Sequence, residues 1–157
     1  MRTTTIRKPF SRALYDKADG KAKEIVRTYL QLQGHKLKED EEKYYCDIEG
    51  EDGHGWEVEI KYSWKGEWPT SWADVRIPHR KKRLIDKKGK ENITFYVLNS
   101  MCDQAWEITG DVVSEAEVTE VSNRFVPKGE LFYSIFVSQA KKIFLTGENE
   151  YDTVQKS

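Results

Sequence analysis

Asp47, followed by Glu57, Glu59 and Lys61 at alternate positions, are the residues whose types and spacing could carry chemistry. From Trp56 to Tyr62 the chain is apolar at 56, 58, 60 and 62 and charged at 57, 59 and 61, so a strand here places Glu57, Glu59 and Lys61 on one face. Gly50, Gly53 and Gly55, with Asp52 and His54, form a turn composition. That turn folds a preceding strand, about 43–49, back onto 55–62 and brings the Asp47 carboxylate beside Glu59. Carboxylates gathered in this way repel one another. A hard divalent cation offsets the repulsion: Mg²⁺ (or Mn²⁺) takes oxygen ligands, is commonly held by one or two carboxylates, and leaves places for water and a substrate phosphate. Lys61 can then orient a hydrolytic water or offset charge growing on a phosphodiester.

Asp47, followed after eleven residues by Glu59-Ile60-Lys61, resembles the D-(x)n-ExK signature of the PD-(D/E)XK nuclease superfamily. Upstream, Asp19-Gly20-Lys21-Ala22-Lys23-Glu24 is similar to the Gly-then-Glu helix start of the archaeal-type Holliday junction resolvases of that superfamily. Cys46 stands where the family name has proline, a position that carries no chemistry. The likeness spans roughly residues 19–109 and implies a restriction-endonuclease-like core, an α/β fold with a central mixed β-sheet flanked by helices. It further implies a Mg²⁺- or Mn²⁺-dependent endodeoxyribonuclease in which Asp47, Glu59 and Glu24 bind metal and Lys61 positions water. Glu57 shares the face of Glu59 and is its rival, but the E-x-K spacing selects Glu59. The resolvase-like helix start implies branched DNA as substrate and a symmetric homodimer, since two strands must be cut at related positions.

These residues need a helix, a hairpin and a sheet to position them. Asp19 is a plausible N-cap, and Ala18, Ala22, Ile25, Tyr29 and Leu32 follow at helical spacing until Gly34, which suits a left-handed stop. Glu24 lies beside this stripe; the alternative is an ordinary glutamate favoured near a helix N-terminus. Trp64, Trp68 and Trp72 recur at four-residue intervals in a segment that Gly66 and Pro69 keep from being one helix. Their indoles, Trp64 first, either stack on unpaired bases or pack the loop onto the core. Pro78 opens a basic helix ended by Gly89, in which Arg80, Lys81 and Lys82 are candidates for phosphate contact, against the alternative of a solvated charge run. Residues 93–98 read as a buried central strand, 105–109 and 131–137 as further strands, and 111–130 as mostly acidic and irregular with a short helix. Ser138 caps a short helix through Leu145.

At 157 residues the chain suits one domain, with a flexible arm over 1–12 and a flexible tail over 146–157. From Glu39 to Glu59 it carries ten acids against one base, and from Arg76 to Lys90 eight bases against one acid. An acidic, metal-collecting region followed by a basic segment suits a polyanionic substrate, DNA first and RNA left open. No apolar run is long enough to span a membrane and the N-terminus lacks an apolar leader, so the expectation is an intracellular, cytoplasmic protein with Cys46 and Cys102 as free thiols. The three histidines are not spaced as a zinc site, and no nucleophilic triad is evident. Two other readings stand beside the nuclease: a catalytically idle nucleic-acid-binding module of the same fold, and a protein-interaction domain.

Overall fold

The computed structural model describes residues 12–39, 46–122 and 129–145, and in the first helix the side chains from Asp19 onward. In chain order the elements are α1 (Arg12–Leu32), β1 (Ile48–Glu49), β2 (Gly55–Ile60), β3 (Asp74–Pro78), α2 (Lys82–Lys88), β4 (Ile93–Leu98), β5 (Gln104–Thr109), α3 (Gly110–Ser114), β6 (Glu117–Val121), β7 (Glu130–Phe136) and β8 (Lys141–Phe144). The expected arm, apart from Arg12, and the expected tail lie outside the described residues, as do residues 43–45 of the first expected strand.

Helix α1 forms the first layer. Ala22, Val26 and Leu30 recur every four residues and are fully buried against Ile48, Trp56, Val58, Tyr96 and Leu98. Burying a Val or Leu side chain in this way contributes about 1.5–3 kcal/mol. The helix stops as expected. Gly34 takes φ 98°, its N–H donates to Gln31 O at 3.0 Å, and the His35 N–H donates to Leu30 O at 3.0 Å, the paired bonds of a Schellman ending. Its start differs from the sequence reading, for Asp19 lies inside the helix and is not its cap. Residues 12–18 contain neither Gly nor Pro, so nothing halts the helix upstream of Asp19.

The second layer is a five-stranded sheet in the order β1-β2-β4-β5-β8, in which β2 and β4 are parallel and the other pairs antiparallel. The fold class is therefore α/β with a mixed sheet. A parallel pair requires a crossover, and residues 61–92 supply it, through β3, a 3₁₀ turn at His79–Lys81 and α2. Strand β4 is buried along its whole length, as its unbroken apolar run predicts. Tyr96 and Leu98 face α1, while Ile93, Phe95 and Val97 face the other way. The register sets Glu57 opposite Phe95 and Glu59 opposite Val97, so both acids point away from α1 toward the third layer.

That third layer is a second, antiparallel sheet in the order β3-β7-β6, packed beside α2. Val75, Ile77, Tyr133 and Ile135 from it, with Leu84 and Ile85 from α2, meet Phe95, Val97, Trp106 and Ile108. The expected single central sheet is thus two sheets. Strands β3 and β6 were not anticipated: both are short and charged, and β3 ends on Pro78, which closes a strand here and does not open the basic helix. The segment after Ser138 is also corrected. A 3₁₀ turn at Val137–Gln139 leads into strand β8, which pairs with the open edge of β5. Among the described residues no helix is long and apolar enough to cross a membrane, and Cys46 and Cys102 are free and buried.

Gly110 joins β5 to α3 where the chain passes against its own backbone. A Cβ there would lie 2.5 Å from Lys90 O and 2.8 Å from Ile93 O, neither of which can swing aside. Gly110→Ala should lower stability by about 2 kcal/mol, seen as a lower urea midpoint at an unchanged slope.

Candidate active site

Strand β1 is only two residues long, and side chains continue the hairpin where backbone pairing stops. The Asp47 N–H donates to Glu57 Oε2 at 2.8 Å, and the Val58 N–H donates to Asp47 Oδ2 at 2.9 Å. These two bonds fix Asp47 on the edge of β2. Lys88, from the end of α2, holds the hairpin's turn by donating to Gly53 O at 2.7 Å and lying 3.3 Å from Glu49.

Glu57 faces the space between the second and third layers, and its side chain is only 4% exposed. Its partner is Lys81, from the 3₁₀ turn before α2, at 2.7 Å, and the same ammonium lies 3.4 Å from Glu59 Oε2. Burial first, and then the charge of Asp47, push the Glu57 carboxyl above the usual range, while Lys81 pulls it back. For Lys81 burial alone would favour loss of the proton. The attraction of Glu57, then Glu59 and Asp47, outweighs burial and raises its pKa, so the ammonium is charged at neutral pH.

Three cavities with shared walls run from the edge of β2 toward β3 and β7. The first, about 150 Å³, is lined by Asp19, Asp47, Glu59, Tyr62 and Lys81 among others. Glu59 also borders a second, about 270 Å³, with Lys61, Arg76 and Phe132. Lys61 and Arg76 in turn border a third, about 370 Å³, with Trp72, Asp74 and Phe136. Lys61 follows the end of β2, its N–H donating to Leu98 O at 2.8 Å, so the pleat keeps it on the side of Glu59. Its ammonium lies 5.1 Å from the centre of the Trp72 ring. Burial, followed by the charge of Arg76, holds its pKa below the usual lysine range, against the opposing pull of Asp74.

The structure therefore gathers Asp47, Glu59 and Lys81 at one cleft and sets Lys61 at the next. Glu24 is not among the residues lining that cleft. It is exposed, whereas Asp19, one turn ahead of Ala22, reaches the cleft. Helical geometry explains the exchange: at 100° per residue, Glu24 lies roughly 160° round from the centre of the Ala22, Val26, Leu30 stripe, while Asp19 falls close to it. That arithmetic was available from the sequence. Of the expected nucleic-acid contacts, Arg80 and Lys82 are exposed, Lys82 pairing with Asp86 at 2.8 Å, while Lys81 turns inward to the carboxylates. Trp64 is fully buried, donating its indole N–H to Gly66 O at 2.7 Å and packing on Trp68 and Trp106. It is a core residue and cannot stack on a base. Trp72, at the far end of the same aromatic run, is the indole that reaches a cavity.

Asp19, Asp47 and Glu59 offer the hard oxygen donors that Mg²⁺ prefers, and a hydrated Mg²⁺ needs only one or two of them directly. Among the described residues, no three His, Cys, Asp or Glu side chains converge as a ligand set. One Asp47 oxygen is engaged by the Val58 N–H, and Lys81 lies against Glu59. The donor chemistry fits a divalent ion bound largely through water and does not fit an all-protein cage. No protein-family model matches the chain, and no curated protein matches it.

Two measurements follow. Lys81→Met leaves the Glu57 carboxylate buried without its cation and should cost about 3 kcal/mol in denaturant unfolding, whereas Lys81→Met with Glu57→Gln, which keeps an acceptor for the Asp47 N–H, should recover most of the loss. In the hairpin turn, the His54 ring packs at a tilt against Trp56, centres 4.7 Å apart, with Nε2 2.8 Å from Thr94 Oγ1. Burial first, with His35 and Lys88 adding to it and Asp52 opposing, holds its pKa below the ordinary value of 6.5. Below that pH the unfolded chain binds the proton and the folded one resists it, so this histidine costs stability as pH falls from 7 toward 5. His54→Asn should flatten that slope in urea midpoints measured across the range.

Proposed function

We propose that the chain is a metal-dependent phosphodiester hydrolase of the PD-(D/E)XK type, with a restriction-endonuclease-like core, acting on DNA. The observation that carries this reading is the meeting of Asp47 and Glu59, from the two arms of one hairpin, with the Lys81 ammonium in a single cleft. The element order supports it: a helix carrying an acid, a hairpin bearing the D-(x)n-ExK residues, then a basic helix crossing over to a strand parallel to β2. The polar cleft continues into cavities lined by Lys61 and Arg76, which suits a chain of phosphates.

In this reading one or two of Asp47, Glu59 and Asp19, the last standing where Glu24 was expected, would hold a largely hydrated divalent ion. Such an ion, held there, would supply an acidified water and offset charge on the phosphoryl oxygens. Lys81, whose side chain is half-buried beside Glu57, keeps Glu59 oriented and supplies fixed positive charge beside the reacting phosphate. Lys61 lies one cavity further along β2 and either orients the attacking water or neutralises the adjoining phosphate. Arg80 and Lys82, on the outer face of the helical segment, make salt-sensitive contacts with flanking phosphates. The second reading, an idle nucleic-acid-binding module, is favoured by one observation: the cleft acids already have protein partners and do not converge.

Incubation with labelled linear, nicked, single-stranded and four-way-junction DNA, in Mg²⁺, Mn²⁺ or EDTA, separates the two. Metal-dependent cleavage should appear, and Asp47→Asn and Glu59→Gln should each reduce it by about 100-fold or more. Binding that persists with no cleavage under any of these conditions would sink the hydrolase reading and leave the module.

A further inference from the structure

The largest of the three cavities, about 370 Å³, does not include Asp47 or Glu59, and beyond Lys61 and Arg76 its lining has no role in the hydrolysis described above. Its size falls in the roughly 300–1,000 Å³ range of sites that take small organic groups. Its lining is unlike that of the acidic cleft. Phe136, at the end of β7, is 61% exposed, so its ring face is open to a ligand. Across the β3–β7 pairing it stands directly opposite Asp74, and the Trp72 indole forms another wall. Trp72 is itself braced edge-on by Trp68 at 5.0 Å, and Trp68 donates its indole N–H to Trp72 O at 2.8 Å, so this wall is held in place. Two cations, Lys61 and Arg76, line the same cavity and also the cavity that leads to Glu59. One acid faces them: Asp74 lies 3.7 Å from Arg76 and accepts a hydrogen bond from the Ser134 hydroxyl, leaving the lining with more cations than acids.

An exposed aromatic ring, a rigid indole wall and paired cations one step from a phosphodiester-cleaving cleft are the parts of a nucleotide subsite. Base faces stack on aromatic rings whatever the sequence, and Lys and Arg hold the backbone phosphate. A paired base cannot enter, because its face is covered by its neighbours in the duplex. We propose that this cavity takes one unpaired nucleotide, its base against Phe136 and its phosphate on Lys61 and Arg76, so that single-stranded or frayed DNA is preferred over intact duplex. The inference rests on the hydrolase reading for the identity of the polymer, but its test does not require cleavage.

The full chain is titrated, in EDTA and at fixed salt, against a fluorescein-labelled oligothymidylate, a duplex of the same length and an abasic strand of the same length, read by anisotropy. The thymidylate strand should bind more tightly than either of the others. Phe136→Ala should weaken it about tenfold and leave duplex and abasic binding unchanged, while Phe136→Tyr should restore it. Because Phe136 is exposed, its truncation should leave the unfolding midpoint in place, which the same samples can confirm. Arg76→Gln should weaken all three ligands and reduce the salt slope by about one. Thymidylate binding unaffected by Phe136→Ala, or an abasic strand bound as well as the thymidylate, overturns the subsite. If Phe136-dependent strand binding is present but no metal condition gives cleavage, the hydrolase reading fails and the subsite stands. If metal-dependent cleavage of single strands is the same in Phe136→Ala and the unaltered chain, the subsite fails and the hydrolase stands.

Discussion

A carboxylate facing inward between two packed layers has to be neutralised or bonded, and the arrangement around β2 follows from how Glu57 meets that demand. One oxygen takes the Lys81 ammonium at 2.7 Å and the other takes the Asp47 N–H at 2.8 Å. The first contact draws in the turn that precedes α2, and the second fixes the hairpin edge that carries Asp47. An isolated charge in this place would be far too costly to keep. The pair therefore dictates where the crossover between the parallel strands β2 and β4 must pass, and it sets a cation beside Glu59. Asp47, Glu59 and Lys81 come from three separate stretches of chain, and the buried acid between them is what they have in common.

Which parts of the architecture could be read from the residues alone follows from whether an element is set by its own pattern or by distant partners. Strands β2, β4, β5 and β7 were legible because their apolar patterns are long and regular, and the end of α1 was legible because Gly34 can take the left-handed conformation that a Schellman ending needs. The hairpin could be foreseen from its glycine-rich turn. Strands β3 and β6 could not: each is five residues with charged positions, and each is a strand because β7 lies between them to pair with both. Strand β8 reads locally as helix for the same reason, since its extended form depends on the edge of β5. Pairing partners distant in sequence override local preference in short strands.

The candidate site was legible in its acids and less so in its cations. Asp47 and Glu59 border one cleft as the expected hairpin suggested, although Asp47 precedes β1 and is placed by its bonds to Glu57 and Val58, not by a strand over 43–49. The E-x-K spacing pointed to Lys61, but the lysine on the carboxylates is Lys81, twenty-two residues beyond Glu59. Nothing in a run of bases such as Arg80-Lys81-Lys82-Arg83 tells which member turns inward; that depends on the angle at which the 3₁₀ turn leaves β3. Trp64 and Trp72 pose the same difficulty. They are equally aromatic and eight residues apart, and only the packing of Trp106 decides that the first is enclosed and the second reaches a cavity.

Lys81 and Lys88 bracket α2, and both are tied to the hairpin: the first to its acids, the second to the carbonyl of Gly53 and to Glu49. A seven-residue helix, too short to be stable by itself, is in effect riveted at both ends to the β1–β2 unit. Helix and hairpin are thus fastened to each other by two cations, and the outward bases Arg80, Lys82 and Arg83 stand on the segment so fastened, beside Asp47 and Glu59.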